Sequence, residues 1–347
     1  MVDILDLLQY NLIYNVNPRK NIFRKGMMNM AENIRYNKRK GLDSLRGIAI
    51  TGIVLYHLFP SVFCGGFLGV PLFFVLSGYL MFTTSERAGA RGCFNIGYYY
   101  KKRIKKIFPP LFAMVMAVCC YLTLIQSNLL IGMWREVLSV FLGFDNWWQI
   151  KQSASYFSKL ASASPFTHLW FLAVEIQFYA IWPLLYIIYK KCCSIFGGKK
   201  MCFIFLLLAL MSALKMSFLY TPGEDPSRVY YGTDTMAFSL FTGIFLGAAR
   251  QQYEELRFKF SKKPFAVLGL FLLVLCIMFV TVDGQSSFLY QGGMFYISIL
   301  FAVMINIMEN HEASVRKLHI TSPLSFLGKK SYSIYLWHYP FIILALV

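Results

Sequence analysis

Long apolar runs broken by short polar stretches recur along the chain. About 20 apolar residues are what an α-helix needs to cross the hydrocarbon core of a bilayer. Read this way, the pattern predicts nine spans, at residues 45–62, 66–83, 107–127, 169–189, 201–220, 235–249, 264–282, 292–308 and 331–347. A further apolar stretch at 133–148, MWREVLSVFLGFDNWW, is short and interrupted. It predicts a re-entrant or interfacial piece with Trp134, Trp147 and Trp148 at headgroup level. The expected fold class is all-α: a polytopic transmembrane helical bundle of about nine to ten spans around a central cavity.

Charge placement supports that layout. The chain has 347 residues, is 57% hydrophobic and carries only 14% charged residues, yet its net charge is +18. Alternating the sides of the spans, with the start of the chain in the cytoplasm, puts 29 Lys and Arg inside and four outside: Arg135, Lys151, Lys159 and Arg228. Lys215 is the remainder, close enough to an outer end to snorkel. Such a split follows the positive-inside rule. The basic residues fall between apolar runs and no nucleic-acid motif occurs, so no nucleic-acid partner is expected. Residues 1–40 read as a basic cytoplasmic N-terminal tail suited to anionic lipid, and 41–347 as the transmembrane domain. The outer loop 149–167 is rich in Ser, Ala and Lys and long enough for a lid or linker. The eight cysteines lack metal-ligand spacing and read as small hydrophobes; no metal site is expected.

Ionisable groups inside a bilayer cost several kcal/mol, so each needs a reason. Within the predicted spans they are His57, Glu175 and His338, with Arg46 at the inner mouth of the first. In LDSLRGIAITGIVLYHLFP, ten mostly apolar residues lie between Arg46 and His57. Eleven steps of ~100° make about three turns, so both share one helix face, and eleven rises of 1.5 Å put His57 about 16 Å higher, near mid-depth. Glu175 falls roughly 10 Å in from the outer end of its span. The three groups are expected to meet at mid-depth. For His338, in YLWHYP, a structural hydrogen bond between helices is the competing reading.

Three further patterns stand out. YYYKKRIKKIFPP places Lys102, Arg103 and Lys106 on the cytoplasmic side of the third span; Arg103 and Lys106 share a face and suit a phosphate, or simply anchor the helix. SRVYYGTDTM, outside, combines Arg228, Tyr230, Tyr231 and Asp234, fitting either a sugar or an aromatic belt. GGFLGVPLFFVLSGY reads as a small-residue packing face in which Pro71 is a candidate kink.

These motifs, followed by HLWFLAVEIQFYAIWP and LGKKSYSIYLWHYP, resemble in order those of the membrane acyltransferase-3 family of bacterial O-acetyltransferases. FDNWWQI and SYF before HLW look most like the Gram-positive peptidoglycan O-acetyltransferases. The resemblance implies a multi-pass protein of the bacterial plasma membrane, with its N-terminus cytoplasmic. The implied donor substrate is acyl-CoA, usually acetyl-CoA, with no permanently bound cofactor. The implied acceptor is a glycan hydroxyl outside, or a relay to an extracellular serine-esterase-like domain in the same chain or a separate one. The family's arginine-to-histidine motif falls on Arg46 and His57, its basic pair on Arg103 and Lys106, and its buried glutamate on Glu175. The sequence departs from the family with Lys106 for an arginine, Phe171 for a serine, Ile176 for a second glutamate and Met236 for an arginine.

The expected chemistry has Arg103 and Lys106, with Lys102, holding CoA phosphates, and Arg46 lining the pantetheine path. His57 serves as general base, with Glu175 orienting it as a triad carboxylate does. Arg228, Tyr230, Tyr231, Asp234, Tyr335 and His338 are assigned to the acceptor. A covalent acyl relay stays open. The alternative is a proton-coupled transporter or flippase of an anionic metabolite, with His57 and Glu175 as the relay.

Overall fold

The computed structural model describes residues 40–125, 132–157, 164–257, 264–315 and 321–346. The basic tail before Lys40 and Lys159 of the outer loop lie outside them. Among the described residues the regular structure is helical throughout, with no strand. Every predicted span falls on a helix. These are α1 (Lys40–Leu58), α2 (Gly69–Gly89), α3 (Ile96–Ile125), α6 (Trp170–Phe196), α7 (Phe203–Leu219), α9 (Thr233–Gln252), α10 (Pro264–Thr281), α11 (Met294–Asn310) and α12 (Thr321–Leu346). Single turns, Gly66–Leu68 and Thr167–Leu169, lead into α2 and α6. Three shorter helices cap one end: α4 (Met133–Leu142), α5 (Asp145–Lys151) and α8 (Ser227–Tyr231).

Five helices among the described residues are long and apolar enough to cross a membrane, at Gly66–Gly89, Ile96–Ile125, Thr167–Phe196, Gly198–Leu219 and Leu289–Asn310. Large apolar side chains stay exposed on their outer faces, such as Leu207, Leu214 and Phe218 of α7 and Leu270 and Leu273 of α10. Such a surface suits lipid rather than water. The chain folds as a helical membrane bundle.

Close contact at glycine sets the helix crossings. A Cβ on Gly47 would run into the Leu324 carbonyl, and one on Gly328 into that of Asp43, so α1 and α12 touch backbone to backbone. Gly78 and Gly243 do the same for α2 and α9, against the carbonyls of Leu240 and Val75. Small-residue packing is therefore the role of the glycine motif. Pro71 is no mid-span kink. It sits in the first turn of α2, where a missing N–H breaks no helical bond.

Contacts between helix ends define two faces. At one, Ser44 of α1 donates to the Thr321 carbonyl, Glu86 of α2 accepts from Lys190 of α6 and Gln251 of α9, and Arg250 reaches Asn310 of α11. This is the basic face. At the other, the Gly65 N–H donates to the Phe279 carbonyl, Tyr220 meets Ser287, and Asn146 of α5 donates to the Tyr231 carbonyl and to Thr233. The helix predicted over 45–62 occupies 40–58 instead, so His57 lies in the last turn of α1, toward the second face.

Candidate functional site

The polar groups separate into two clusters. The first opens toward the basic face. Glu175, on α6, accepts a hydrogen bond from Ser77 of α2. Its charged neighbours are Arg103, Lys106 and Arg46. The Arg103 guanidinium sits over the Tyr179 ring at 4.2 Å and near that of Tyr99 at 5.5 Å, a cation–π clamp that fixes its direction. Arg46 lies 3.6 Å from Asp43 one turn earlier. Lys106 and Lys102 are exposed, whereas Arg46, Arg103, Glu175 and Ser77 keep partial exposure. Three cations against the carboxylates of Glu175 and Asp43 leave a net positive site, as an anionic ligand requires.

The second cluster lies at the opposite face. The His57 ring meets Tyr339 at 4.9 Å, Tyr56 at 5.1 Å, His338 at 5.4 Å and Tyr156 at 6.1 Å between centroids. A third histidine joins them: His168, in the turn before α6, lies 5.5 Å from His338 and 5.1 Å from Tyr339. All three imidazoles are buried. Their tautomers follow from what they touch. His338 Nδ1 is 2.7 Å from the Tyr335 carbonyl oxygen, which can only accept, so Nδ1 carries hydrogen and Nε2 is the lone-pair nitrogen. By the same argument His168 donates from Nε2 to the Leu336 carbonyl at 3.3 Å, leaving Nδ1 as its acceptor. Both of those acceptor nitrogens are buried without a partner. Neither ring nitrogen of His57 has a hydrogen-bond partner among the described residues, so no tautomer is imposed on it.

The arrangement corrects one expectation. Glu175 does not orient His57: it belongs to the basic cluster, and no hydrogen bond or ion pair links it to His57 among the described residues. α6 enters from the face where α1 ends and carries Glu175 five residues further in than Trp170, where it meets Ser77 and the basic cluster and not the His57 ring. His57 and His338 do come together, because α12 runs along α1.

The residues assigned to the acceptor fall into two kinds. Arg228 and Asp234 satisfy each other, with Nη1 and Nη2 at 3.3 and 3.2 Å from the two carboxylate oxygens, and Lys215 adds a third contact at 2.9 Å. The Tyr230 hydroxyl donates to the Phe67 carbonyl at 3.1 Å, and that of Tyr335 to the His168 carbonyl at 2.5 Å. These four fasten the cap. The Tyr231 hydroxyl, by contrast, is buried without a partner. Of the outer loop, 149–151 belong to α5 and Tyr156 stacks on Tyr56 at 5.9 Å, so this part is packed and not a free lid. The replaced family positions are filled by packing: Phe171 lies 4.6 Å from Phe74, and Met236 is fully buried.

Sequence reading missed His168, Tyr156 and two buried carboxylates, Glu136 and Asp145, because all four lie outside the predicted spans. The signal available for His168 was its place as the first residue of HLWFLAVEIQFYAIWP, at the entry to an apolar run.

Fold and site together define a helical membrane protein with an anion-suited cluster at one face and a buried histidine–tyrosine cluster at the other. The acyltransferase domain family matches residues 39–345, and the chain belongs to that family. It is 35% identical over 325 residues to the peptidoglycan O-acetyltransferase OatA of Listeria monocytogenes, covering 91% of this chain and 51% of that protein. It is 38% identical over 314 residues to "Putative peptidoglycan O-acetyltransferase YrhL" of Bacillus subtilis, covering 88% and 49%. The chain thus spans about half the length of these relatives. No solved structure matches it.

Proposed function

We propose that the chain is an O-acetyltransferase of the bacterial plasma membrane. It takes an acetyl group from acetyl-CoA at the basic face, in the cytoplasm with the N-terminus, and passes it to a glycan hydroxyl outside. That hydroxyl belongs to cell-wall peptidoglycan or to a surface polysaccharide; a serine-esterase-like relay domain is the other possible recipient. The observation that carries this reading is the single helix α1, which bears Arg46 in the cationic cluster and His57 in the histidine cluster eleven residues on. That step is about 16 Å, comparable with a pantetheine arm of about 15–20 Å.

Arg103 and Lys106, with Lys102 at the mouth, hold the donor's phosphates, and Arg46 flanks the arm. Glu175 and Ser77 orient Arg103 and Lys106 and keep the site from holding a second anion. At the other end His57 takes the proton of the attacking hydroxyl as the new ester C–O bond forms and the C–S bond to CoA breaks. His338 and His168 bring further imidazole acceptors to the same spot, and the surrounding tyrosines exclude water. The names of the relatives support the acetyl group and the glycan acceptor.

The test uses the purified protein in liposomes with acetyl-labelled CoA presented at one face and a glycan at the other. Release of free CoA with label on the glycan is the expected result. Passage of the intact labelled donor would instead establish a transporter, and label on neither side would refute transfer.

A further inference from the structure

The short helices α4 and α5 hold two carboxylates that the transfer chemistry does not use. Asp145 is fully buried and Glu136 nearly so. One nitrogen, Nε2 of Gln149, donates to both, at 2.9 Å to Glu136 and 3.3 Å to Asp145. No lysine or arginine pairs with either among the described residues. The remaining oxygen of Asp145, Oδ2, is buried and has no partner, and neither has the hydroxyl of its neighbour Tyr231. Ser139 Oγ adds a second donor to Asp145 Oδ1 at 3.3 Å, but no cation offsets either group, and two carboxylates bridged by one amide in a dry interior do not both ionise.

The titratable groups facing the pair are Tyr231 from α8 and Tyr335 and Tyr339 from α12. Tyr339 is also the ring in closest contact with His57. Residues near both sites are in contact: the Thr167 hydroxyl, a neighbour of Tyr339, donates to the carbonyl of Ser164, itself a neighbour of Glu136, at 3.0 Å.

We propose that Glu136 and Asp145 share a single proton and carry one net negative charge, placed as the counter-charge to the histidine cluster when an imidazole there takes up a proton. The pair acts as positioning residues; it touches no substrate, and its catalytic part rests on the acyl-transfer reading. Removal from water pushes both carboxyls up from the usual carboxylate range, and for Asp145 the adjacent Glu136 adds to the effect.

The protonation is tested without substrate, by infrared difference spectroscopy on the protein in lipid nanodiscs at neutral pH. Wild type is compared with Glu136→Gln and Asp145→Asn. The proposal expects a protonated-carboxyl carbonyl band in the wild type that is lost or displaced in each variant. Absence of any such change overturns it, whatever the protein's activity. Should Asp145→Asn fail to fold, Glu136→Gln carries the comparison alone. In the transfer assay both variants should keep the KM for acetyl-CoA, lower kcat about tenfold and move its pH dependence. A loss equal at all pH values, with the infrared change present, would overturn the counter-charge role and leave the shared proton standing.

Discussion

The two clusters on α1 are built from opposite materials. Around Arg46 the groups are charged, mutually paired and partly exposed: Arg103 is clamped on Tyr179, and Glu175 is held by Ser77. Around His57 the groups are buried aromatic rings and imidazoles whose hydrogen bonds go to backbone carbonyls. The first kind of site suits an anion; the second offers lone pairs in a place shielded from water. Sharing one helix fixes their separation without bringing them into contact. The difference teaches how the proposed function divides binding from proton transfer.

The comparison predicts distinct losses. His57→Ala should have the largest effect, a fall in acetyl transfer of roughly 100- to 10,000-fold with the protein still folded in the membrane, since that is the range a general base contributes. Steady-state transfer and size-exclusion profiles check it, and full activity would end the base assignment. Arg103→Ala with Lys106→Ala should raise the KM for acetyl-CoA by roughly 100-fold or more, because two lost charge-assisted bonds at about 1.5 kcal/mol each, the low end for partly exposed groups, sum to about 3 kcal/mol. An unchanged KM would dissolve the phosphate role. Glu175→Gln sharpens the division: it should alter KM by a few-fold and leave the pH dependence of kcat unmoved, and a selective collapse of kcat would join the two clusters after all.

Smaller effects probe the frame. Gly328→Val drives a side chain into the Asp43 carbonyl and should destabilise the α1–α12 contact by about 1–3 kcal/mol, read from thermal unfolding in detergent. Because that contact places His338 against His57, activity should fall with stability. The acid pair gives the smallest effect. A carboxyl whose folded pKa is raised adds stability in full below its unfolded value, near 4, and loses it as pH rises through the folded value. Melting temperature should therefore decline with rising pH above that range, and the decline should be weaker in Asp145→Asn. An identical profile in the variant would remove Asp145 from the account.

The helices and the faces were legible in the chain because lipid imposes length and charge asymmetry directly. Arg46 and His57 could be placed on one face because helical spacing is local. What sequence could not supply was the helix start: α1 begins at Lys40 and not at residue 45, which puts His57 in its last turn. Nor does sequence pair helices, so it does not show that Glu175 belongs with Ser77 and Arg103 and not with His57. His168, Glu136 and Asp145 escaped notice because they sit in short turns and caps, where hydropathy carries no information about burial. Only folding of α4, α5 and α8 over the bundle makes them interior.

The central claim is that grip and chemistry sit in two separate clusters linked by α1, and it is tested most directly by measuring acetyl-CoA affinity and turnover side by side in His57→Ala and in the Arg103→Ala, Lys106→Ala variant. The account predicts that the first binds the donor like wild type and transfers roughly 100- to 10,000-fold more slowly, while the second binds poorly and regains transfer at high donor concentration. Equal loss of affinity in both variants would contradict it.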